Sequence, residues 1–432
     1  MRTMKDSGVE WLGEIPEDWL VEPLWPHFRR AKITGFPDES LLSVYRDHGV
    51  IPKNSRDDNH NVASVDVAVY QLVLEGNLVV NKMKAWQGSL SISSIRGIVS
   101  PAYYVYSAVS NSFDEQYIHN LLRSLPYVLS YSLISKGIRV GQWDLQPELF
   151  RKTPVLVPPA DEQAKIAAYL DQETSQVNTL ISKKEQLIEK LLERRQALIT
   201  QVVTKGLDPN VPMKDSGVEW LGPIPKTWSL ARLQRYADFQ SGGGFPEAYQ
   251  GDLSREFPFL KVDDLGKNAS HEIKSWQNTV SKSTASQLGV KILPEGTLVM
   301  AKIGAALLLG RVRQLVVPSC IDNNMIGIAP RKKLSGGYFS YFLSILDFAY
   351  FVNPGTVPST SGSAIGANQI PIPPKAEQDL ISKYLDKETS QIDSLVKKTR
   401  KAIELLKERH QALITQVVTG KIDVRGFAGG NS

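Results

Sequence analysis

Residues 160–205 contain neither proline nor glycine, in a chain of 432 residues that holds 31 glycines and 25 prolines. Those two residues interrupt helical backbone more strongly than any others, so the gap predicts one long helix. Its apolar positions, among them Ile166, Leu170, Val177, Leu180, Leu187, Leu191, Leu198 and Val202, recur at three- and four-residue steps and form a stripe along one face. Pro158 and Pro159 precede it, Asp161 and Glu162 occupy its first turn where the helix dipole favours anions, and Gly206 follows as a C-terminal cap. Roughly 45 helical residues span about 65 Å, longer than a globular core requires. The helix is therefore a rod.

The rod occurs twice. Glu193–Thr204 reads ERRQALITQVVT and Glu408–Thr419 reads ERHQALITQVVT. A second repeat opens each half: Met4–Gly13 and Met213–Gly222 both read MKDSGVEWLG. The chain is thus two tandem halves, each an opening motif, a globular stretch and a rod. The boundaries expected are a first globular domain at 1–158, a first rod at 159–206, a second globular domain at 207–373, a second rod at 374–421 and a tail at 422–432.

A hydrophobic content of 42% with 22% charged residues is ordinary for a soluble protein with full-sized cores. No apolar run approaches the roughly 18 residues of a membrane span. The N-terminus lacks the pattern of a signal peptide. A single cysteine, Cys320, excludes an internal disulfide framework and suits a reducing compartment, so a cytoplasmic protein is expected. The net charge of +5 permits a nucleic-acid partner without demanding one. Both globular stretches carry a slight basic excess, whereas the first rod is balanced, so the globular stretches are the better candidates for DNA contact.

The globular stretches read as α+β with a mixed or antiparallel sheet. In the first, Val62–Val69, Asn77–Val80 and Ala102–Val109 are β-rich runs, and Asp114–Leu133 reads as a helix. In the second, strands are expected near Phe259–Val262, Thr297–Met300 and Ile326–Ile328, with a helix around Tyr338–Val352. The openings match as WLGEIPEDW (Trp11–Trp19) and WLGPIPKTW (Trp220–Trp228), an extended turn able to pin the chain against a rod end.

Two loops of the first stretch gather amide, cationic and aromatic groups: Asn81–Gly88, with Lys82, Lys84, Trp86 and Gln87, and Gly137–Asp144, with Arg139, Gln142 and Trp143. The second stretch offers Lys302, the pair Asn323 and Asn324, and the loop from Gly355 to Asn368 with Ser361, Ser363 and Asn368. Arginine pairs well with guanine edges, asparagine and glutamine with adenine, and lysine with phosphate, so these sets suit a DNA reader. They suit any polar loop equally. Gly242-Gly243-Gly244 lacks the spacing and the Lys-Ser/Thr ending of a phosphate-binding loop and reads as an ordinary loop. No ATP-binding motif, metal-ligand spacing, nucleophile elbow, dinucleotide fingerprint or amino-methyltransferase motif is present, so the chain reads as a binder and scaffold with no catalytic residues, metal or cofactor of its own.

The ordered, duplicated set resembles the specificity (S) subunits of type I restriction-modification systems. The carriers are the Trp-Leu-Gly-x-Ile-Pro-x-x-Trp openings and the pairs Glu162-Gln163 and Glu377-Gln378, each after a Pro-Pro and followed by Ile166 and Leu170 or Ile381 and Leu385. The rods and the run from Asn81 to Gly88 leading to Ile98-Val99-Ser100-Pro101 complete it. The resemblance implies two target-recognition domains held apart by two antiparallel helices, each domain reading one half of a bipartite double-stranded DNA site. It also implies separate modification (methyltransferase) subunits, two of them, which bind S-adenosylmethionine, and restriction subunits, which use ATP and Mg2+. The assembled complex would be an ATP-dependent site-specific deoxyribonuclease and an adenine methyltransferase. A methyltransferase-only system and a coiled-coil adaptor without DNA contact stand as alternatives.

The repeats carry a geometric expectation of their own. Rod 1 ends where the second opening begins, so equivalence of the halves puts the end of rod 2 beside Met4. That closes a pseudo-two-fold ring with the rods head to tail. Leu170, Val177, Leu187, Leu191 and Leu198 of the first rod, and Leu385, Ile392, Ile403, Leu406 and Leu413 of the second, are the candidates for rod pairing and partner docking. Paired rods act as a ruler for half-site spacing, and unlike globular sequences on matched frames imply an asymmetric target.

Overall fold

The computed structural model describes residues 2–46, 48–55, 67–137, 143–268, 271–346 and 357–427. The chain is α+β and divides into two compact units: unit 1 is residues 1–185 with 400–432, and unit 2 is residues 186–399. Two long helices dominate the helical content. Rod 1 is Ala160–Lys205, 46 residues, and rod 2 is Lys375–Val418, 44 residues. Rod 1 stops at the expected Gly206, and both Gly206 and Gly420 adopt positive φ, +82° and +72°, the left-handed geometry that a side chain opposes and that closes a helix C-terminus.

Unit 1 is built on an antiparallel sheet of β1 (Phe28–Ala31), β2 (Leu78–Asn81), β3 (Leu90–Ile92) and β4 (Tyr103–Ala108), in spatial order β1-β4-β2-β3. Three of the four residues of β2 are buried hydrophobics because the central strand is covered on both faces. One face, with Phe28, Leu78, Val80, Leu90 and Tyr106, joins the main core, and the other, with Val79 and Val105, packs on Leu42, Val44, Val50, Val73 and Val99.

The helix expected over 114–133 is two helices, α1 (Glu115–Arg123) and α2 (Leu125–Leu133). Pro126 has no N–H to offer the Leu122 carbonyl, which accepts from the Tyr131 hydroxyl instead at 2.9 Å. The break falls at Ser124, which is extended at φ −66°, ψ 153°. The run expected as a strand over 62–69 lies partly outside the described residues, and its described part, 67–69, is not a strand.

Unit 2 repeats the sheet order with one strand added. β5 (Ala237–Ser241), β6 (Glu272–Ile273), β7 (Leu298–Ala301), β8 (Arg313–Leu315) and β9 (Met325–Pro330) run β5-β9-β7-β8-β6, antiparallel except for the parallel pair β6 and β8. The strand expected at 259–262 is Phe257–Leu260, with a short helix starting at Val262. The helix expected over 338–352 is Gly336–Ser344, and 347–352 lie outside the described residues.

The two units root the rods with the same parts. In unit 1 the Trp19 indole donates to the Glu162 carboxylate at 3.1 Å, and in unit 2 the Trp228 indole donates to Glu377 at 3.0 Å. The next residue, Gln163 or Gln378, accepts from the backbone N–H of Asp114 or Ser335 and donates to the carbonyl of Pro158 or Pro373. Ile166 and Leu170 of rod 1 share a core with Val417 and Val418 of rod 2 in unit 1, and Ile199, Val202 and Val203 of rod 1 share one with Ile381 and Leu385 of rod 2 in unit 2. The Tyr117 hydroxyl bridges the carbonyls of Leu156 and Val418, as Tyr338 bridges those of Pro371 and Val203.

Arg2 completes the root of unit 1, gripping Glu162 with two nitrogens and Asp18 at 2.7 Å. Both members of the Arg2–Glu162 pair are buried. Removing one partner of such a pair strands the other, so Glu162→Gln should destabilise unit 1 by about 3 kcal/mol in denaturant titration. An unchanged midpoint would show that the pair is not structural.

His119, on α1, is held near Ser91 and has its pKa pushed down to about 4 by burial, with help from Arg123. Between that value and the unfolded value near 6.5 the unfolded chain binds a proton that the native one refuses. Stability therefore falls as the pH drops from 6.5 to 4, by at most about 3 kcal/mol for this group. His119→Asn should flatten the profile between pH 6.5 and 4, whereas parallel profiles would acquit the histidine.

Candidate nucleic-acid interface

The ends of β2 and β4 set the site in unit 1. Lys82 follows β2 and hydrogen-bonds through its backbone N–H to Ala102, while its carbonyl accepts from Leu145 N–H at 2.8 Å. That second bond joins the two loops that the sequence offered separately. Trp86 and Trp143 meet there with ring centroids 4.9 Å apart. The Trp86 indole donates to Met83 O at 3.1 Å, and Gly88 closes the turn at φ +86°. Lys84 and Gln87 are exposed, and Lys82 is half-buried. Arg139 and Gln142 lie outside the described residues.

Beside this corner runs a groove of about 480 Å³ lined by Arg30, Lys32, Thr34, Ala68, Val69, Gln71, Lys82, Pro101 and Tyr104. It holds three cations and no carboxylate. The Arg30 guanidinium lies 4.3 Å over the Tyr104 ring and 5.7 Å from that of Tyr106, and the Lys82 ammonium lies 5.7 Å from the Tyr104 ring. Partial burial lowers the Arg30 pKa, though the group stays charged, and burial raises that of Tyr104. Sequence reading missed Arg30, Lys32, Gln71 and Tyr104. Their signal was the pair of short strands FRRA and YYVYSA, whose antiparallel register sets Arg30 opposite Tyr106.

In unit 2 the corresponding corner gathers Lys302, Asn324 and the segment 358–360. Lys302 N–H donates to Asn324 O at 2.8 Å, and Thr360 N–H donates to Lys302 O at 2.9 Å. Asn323 and Asn324 are exposed. Ser361 caps the short helix Gly362–Gly366 by accepting from Ala364 N–H and pairs with the Ser363 hydroxyl, and the Asn368 amide donates to Ala364 and Ile365 carbonyls. These two residues therefore use their polar groups to hold the helix. Gly242 is pressed against the backbone of Ile321 and Asp322, so this first glycine of the three serves a close approach of two backbones.

Of the candidates for rod pairing, Leu170, Leu385 and Ile403 are buried. Val177, Leu191, Leu198, Ile392, Leu406 and Leu413 are half-buried, and Leu187 is 43% exposed. Among the described residues no cluster of His, Cys, Asp and Glu has the makings of a metal site, and no helix is long and apolar enough to cross a membrane.

Comparison with known proteins bears on this arrangement. Residues 225–405 match the family model described as the type I restriction modification DNA specificity domain. The chain is 23% identical over 438 residues to the type I restriction enzyme MjaVIII specificity subunit of Methanocaldococcus jannaschii, covering 96% of this chain and 95% of that protein. Residues 225–405 thus carry the type I specificity domain, and the chain as a whole is similar to type I specificity subunits. The EcoKI specificity subunit of Escherichia coli K12 matches at 22% identity over 214 residues, 46% of this chain and 44% of that one. Among solved structures, a chain from a type I restriction-modification system solved for its complex assembly and conformational transition shares the fold with a TM-score of 0.71 at 15% identity, covering 94% of this chain and 99% of that one. The HsdS subunit of Thermoanaerobacter tengcongensis gives 0.52 at 15%, with 94% and 98% covered.

The meeting of the two tryptophans is testable without DNA. Trp143→Ala removes an aromatic contact worth about 1 kcal/mol beyond area burial, so hydrogen exchange at Leu145 should accelerate while the β2–β4 ladder keeps its protection. Unchanged exchange at Leu145 would mean that the backbone bond to Lys82 holds the loop alone.

Proposed function

We propose that this chain is the DNA-recognition and scaffolding subunit of a type I restriction-modification complex, with no catalysis of its own. Residues 1–158 and 207–373 are its two recognition domains, each reading one half of a bipartite, asymmetric duplex site. Residues 159–206 and 374–421 form an antiparallel, pseudo-two-fold spacer that sets the distance between half-sites and docks two modification subunits. S-adenosylmethionine belongs to those subunits, and ATP with Mg2+ to restriction subunits where present.

One observation carries the reading: two sheets of matching strand order each end a central strand in a lysine, Lys82 after β2 and Lys302 after β7, while the groups around it differ. Around Lys82 stand arginine, tyrosine and tryptophan, and around Lys302 stand asparagines. A common phosphate anchor beside unlike base-reading groups is what two different half-sites require. The opposite rod directions are supported by the rod starts and ends that share a core within each unit.

The decisive measurement is binding of the full chain with its modification partner to a split duplex site. Inserting one base pair in the spacer should weaken binding with both half-sites intact, and indifference to spacer length would overturn the ruler. Lys82→Ala with Lys84→Ala should reduce the slope of log affinity against log salt by up to about 2, since each lost phosphate contact releases about one counterion fewer. An unchanged slope would remove both lysines from the interface.

A further inference from the structure

We propose that Arg30 reads a guanine in the half-site taken by unit 1, an inference that rests on the DNA-recognition reading above. The geometry around Arg30 is that of a side chain held ready for an acceptor that has not yet arrived. Its Nη2 donates to the Gln71 side-chain oxygen at 3.0 Å. Gln71 is 2% exposed, and its own amide nitrogen is fixed by the Tyr103 carbonyl at 2.8 Å and the Ser100 carbonyl at 3.4 Å. A buried amide whose remaining valence orients an exposed guanidinium serves position. The guanidinium carbon lies over the Tyr104 ring, 4.3 Å from its centre, a contact that restricts where the group can sit.

What is left unpaired matters as much. Among the described residues Arg30 has no ion pair, and Glu148, the acid that lines the adjoining groove, pairs with Arg151 at 2.8 Å. Gln71 takes one hydrogen of Nη2 and leaves the other, and the Tyr106 hydroxyl also lies beside the cation. That second Nη2 hydrogen lies parallel to an N–H of Nε or of Nη1, and such a fork fits the O6 and N7 acceptors on the major-groove edge of guanine, the commonest specific arginine contact. A phosphate contact needs neither the ring contact nor the buried glutamine. Lys32 and Lys82, on the same groove, are the groups suited to phosphate.

The test is selection from a randomised duplex library, with bound duplexes sequenced, using the full chain with its modification partner. Wild type, Arg30→Ala, Arg30→Lys and Lys82→Ala are compared. The wild-type motif should contain a G·C pair that Arg30→Ala alone relaxes, with affinity for the wild-type motif falling about 5- to 150-fold. The other positions of the motif should stand. Arg30→Lys, which keeps charge and bulk but loses the fork, should relax the same position at a nearly unchanged salt slope, and it guards against a folding effect of the alanine. Lys82→Ala should weaken all sequences alike.

Uniform weakening by Arg30→Ala with the motif intact would make Arg30 a phosphate contact and overturn the proposal. So would full recovery of the G·C preference by lysine. If the wild type enriched no motif at all, the DNA-recognition reading would fail first, an outcome distinct from a motif indifferent to Arg30.

Discussion

A buried indole hydrogen-bonded to a carboxylate in the first turn of a long helix is the joint on which this architecture turns. It occurs twice, Trp19 to Glu162 and Trp228 to Glu377. The carboxylate sits where the helix dipole favours it, and the adjacent glutamine ties the same turn to the start of a neighbouring helix or its N-cap. Tyr117 and Tyr338 then occupy carbonyls in the closing turns of the other rod, groups that a helix end leaves without intrahelical partners. A tilt of a few degrees at the root displaces the tip of a helix about 65 Å long by several ångströms. The proposed spacer role therefore requires a rigid root, and polar bonds with fixed directions supply rigidity better than apolar contact alone.

The same frame supports unlike surfaces because the frame uses residues inside the units and the surfaces use what is left at strand ends. Leu78 and Val80 in unit 1, and Leu298 and Met300 in unit 2, face the cores that also hold the rod residues. Substitution there would disturb the joint. By contrast, Arg30 on β1 has Phe239 as its positional counterpart on β5, and the latter packs against the short helix Gly362–Gly366. The sheet tolerates a stacked cation at one position and a covered phenylalanine at the other without any change in strand order.

The parts legible in the sequence were those written in local chemistry. The absence of proline and glycine over 160–205 gave the rod, and Gly206 gave its end, because helix continuation and left-handed caps are decided within a few residues. The break at Ser124 was legible too, from Pro126, and the apolar periodicity through Leu133 obscured it. The joining of the 81–88 loop to Trp143 was not legible, since it depends on a backbone bond between Leu145 and Lys82 across 63 residues. Nor was the Arg30 cluster, whose members come from four separate segments and converge only through strand pairing. Ser361 and Asn368 show the converse: polar composition suggested readers, while the structure gives their hydrogen bonds to a local helix.

The contrast between two arginines shows why an unpaired one is informative. Arg331 in unit 2, beside β5, forks onto Asp238, and each partner's charged form is favoured by the other. Its acceptors are already in place, and any nucleic acid approaching it must first compete with a carboxylate. Arg30 in unit 1 has aromatic faces and one neutral amide instead, which orient the cation without neutralising it. Burial against those rings strips some of its water and lowers its pKa, so an incoming acceptor displaces less solvent than it would from a free side chain. The two units therefore differ in the chemistry they leave unsatisfied, as well as in sequence. One presents a pre-oriented guanidinium beside lysines, and the other presents asparagine amides beside a single lysine.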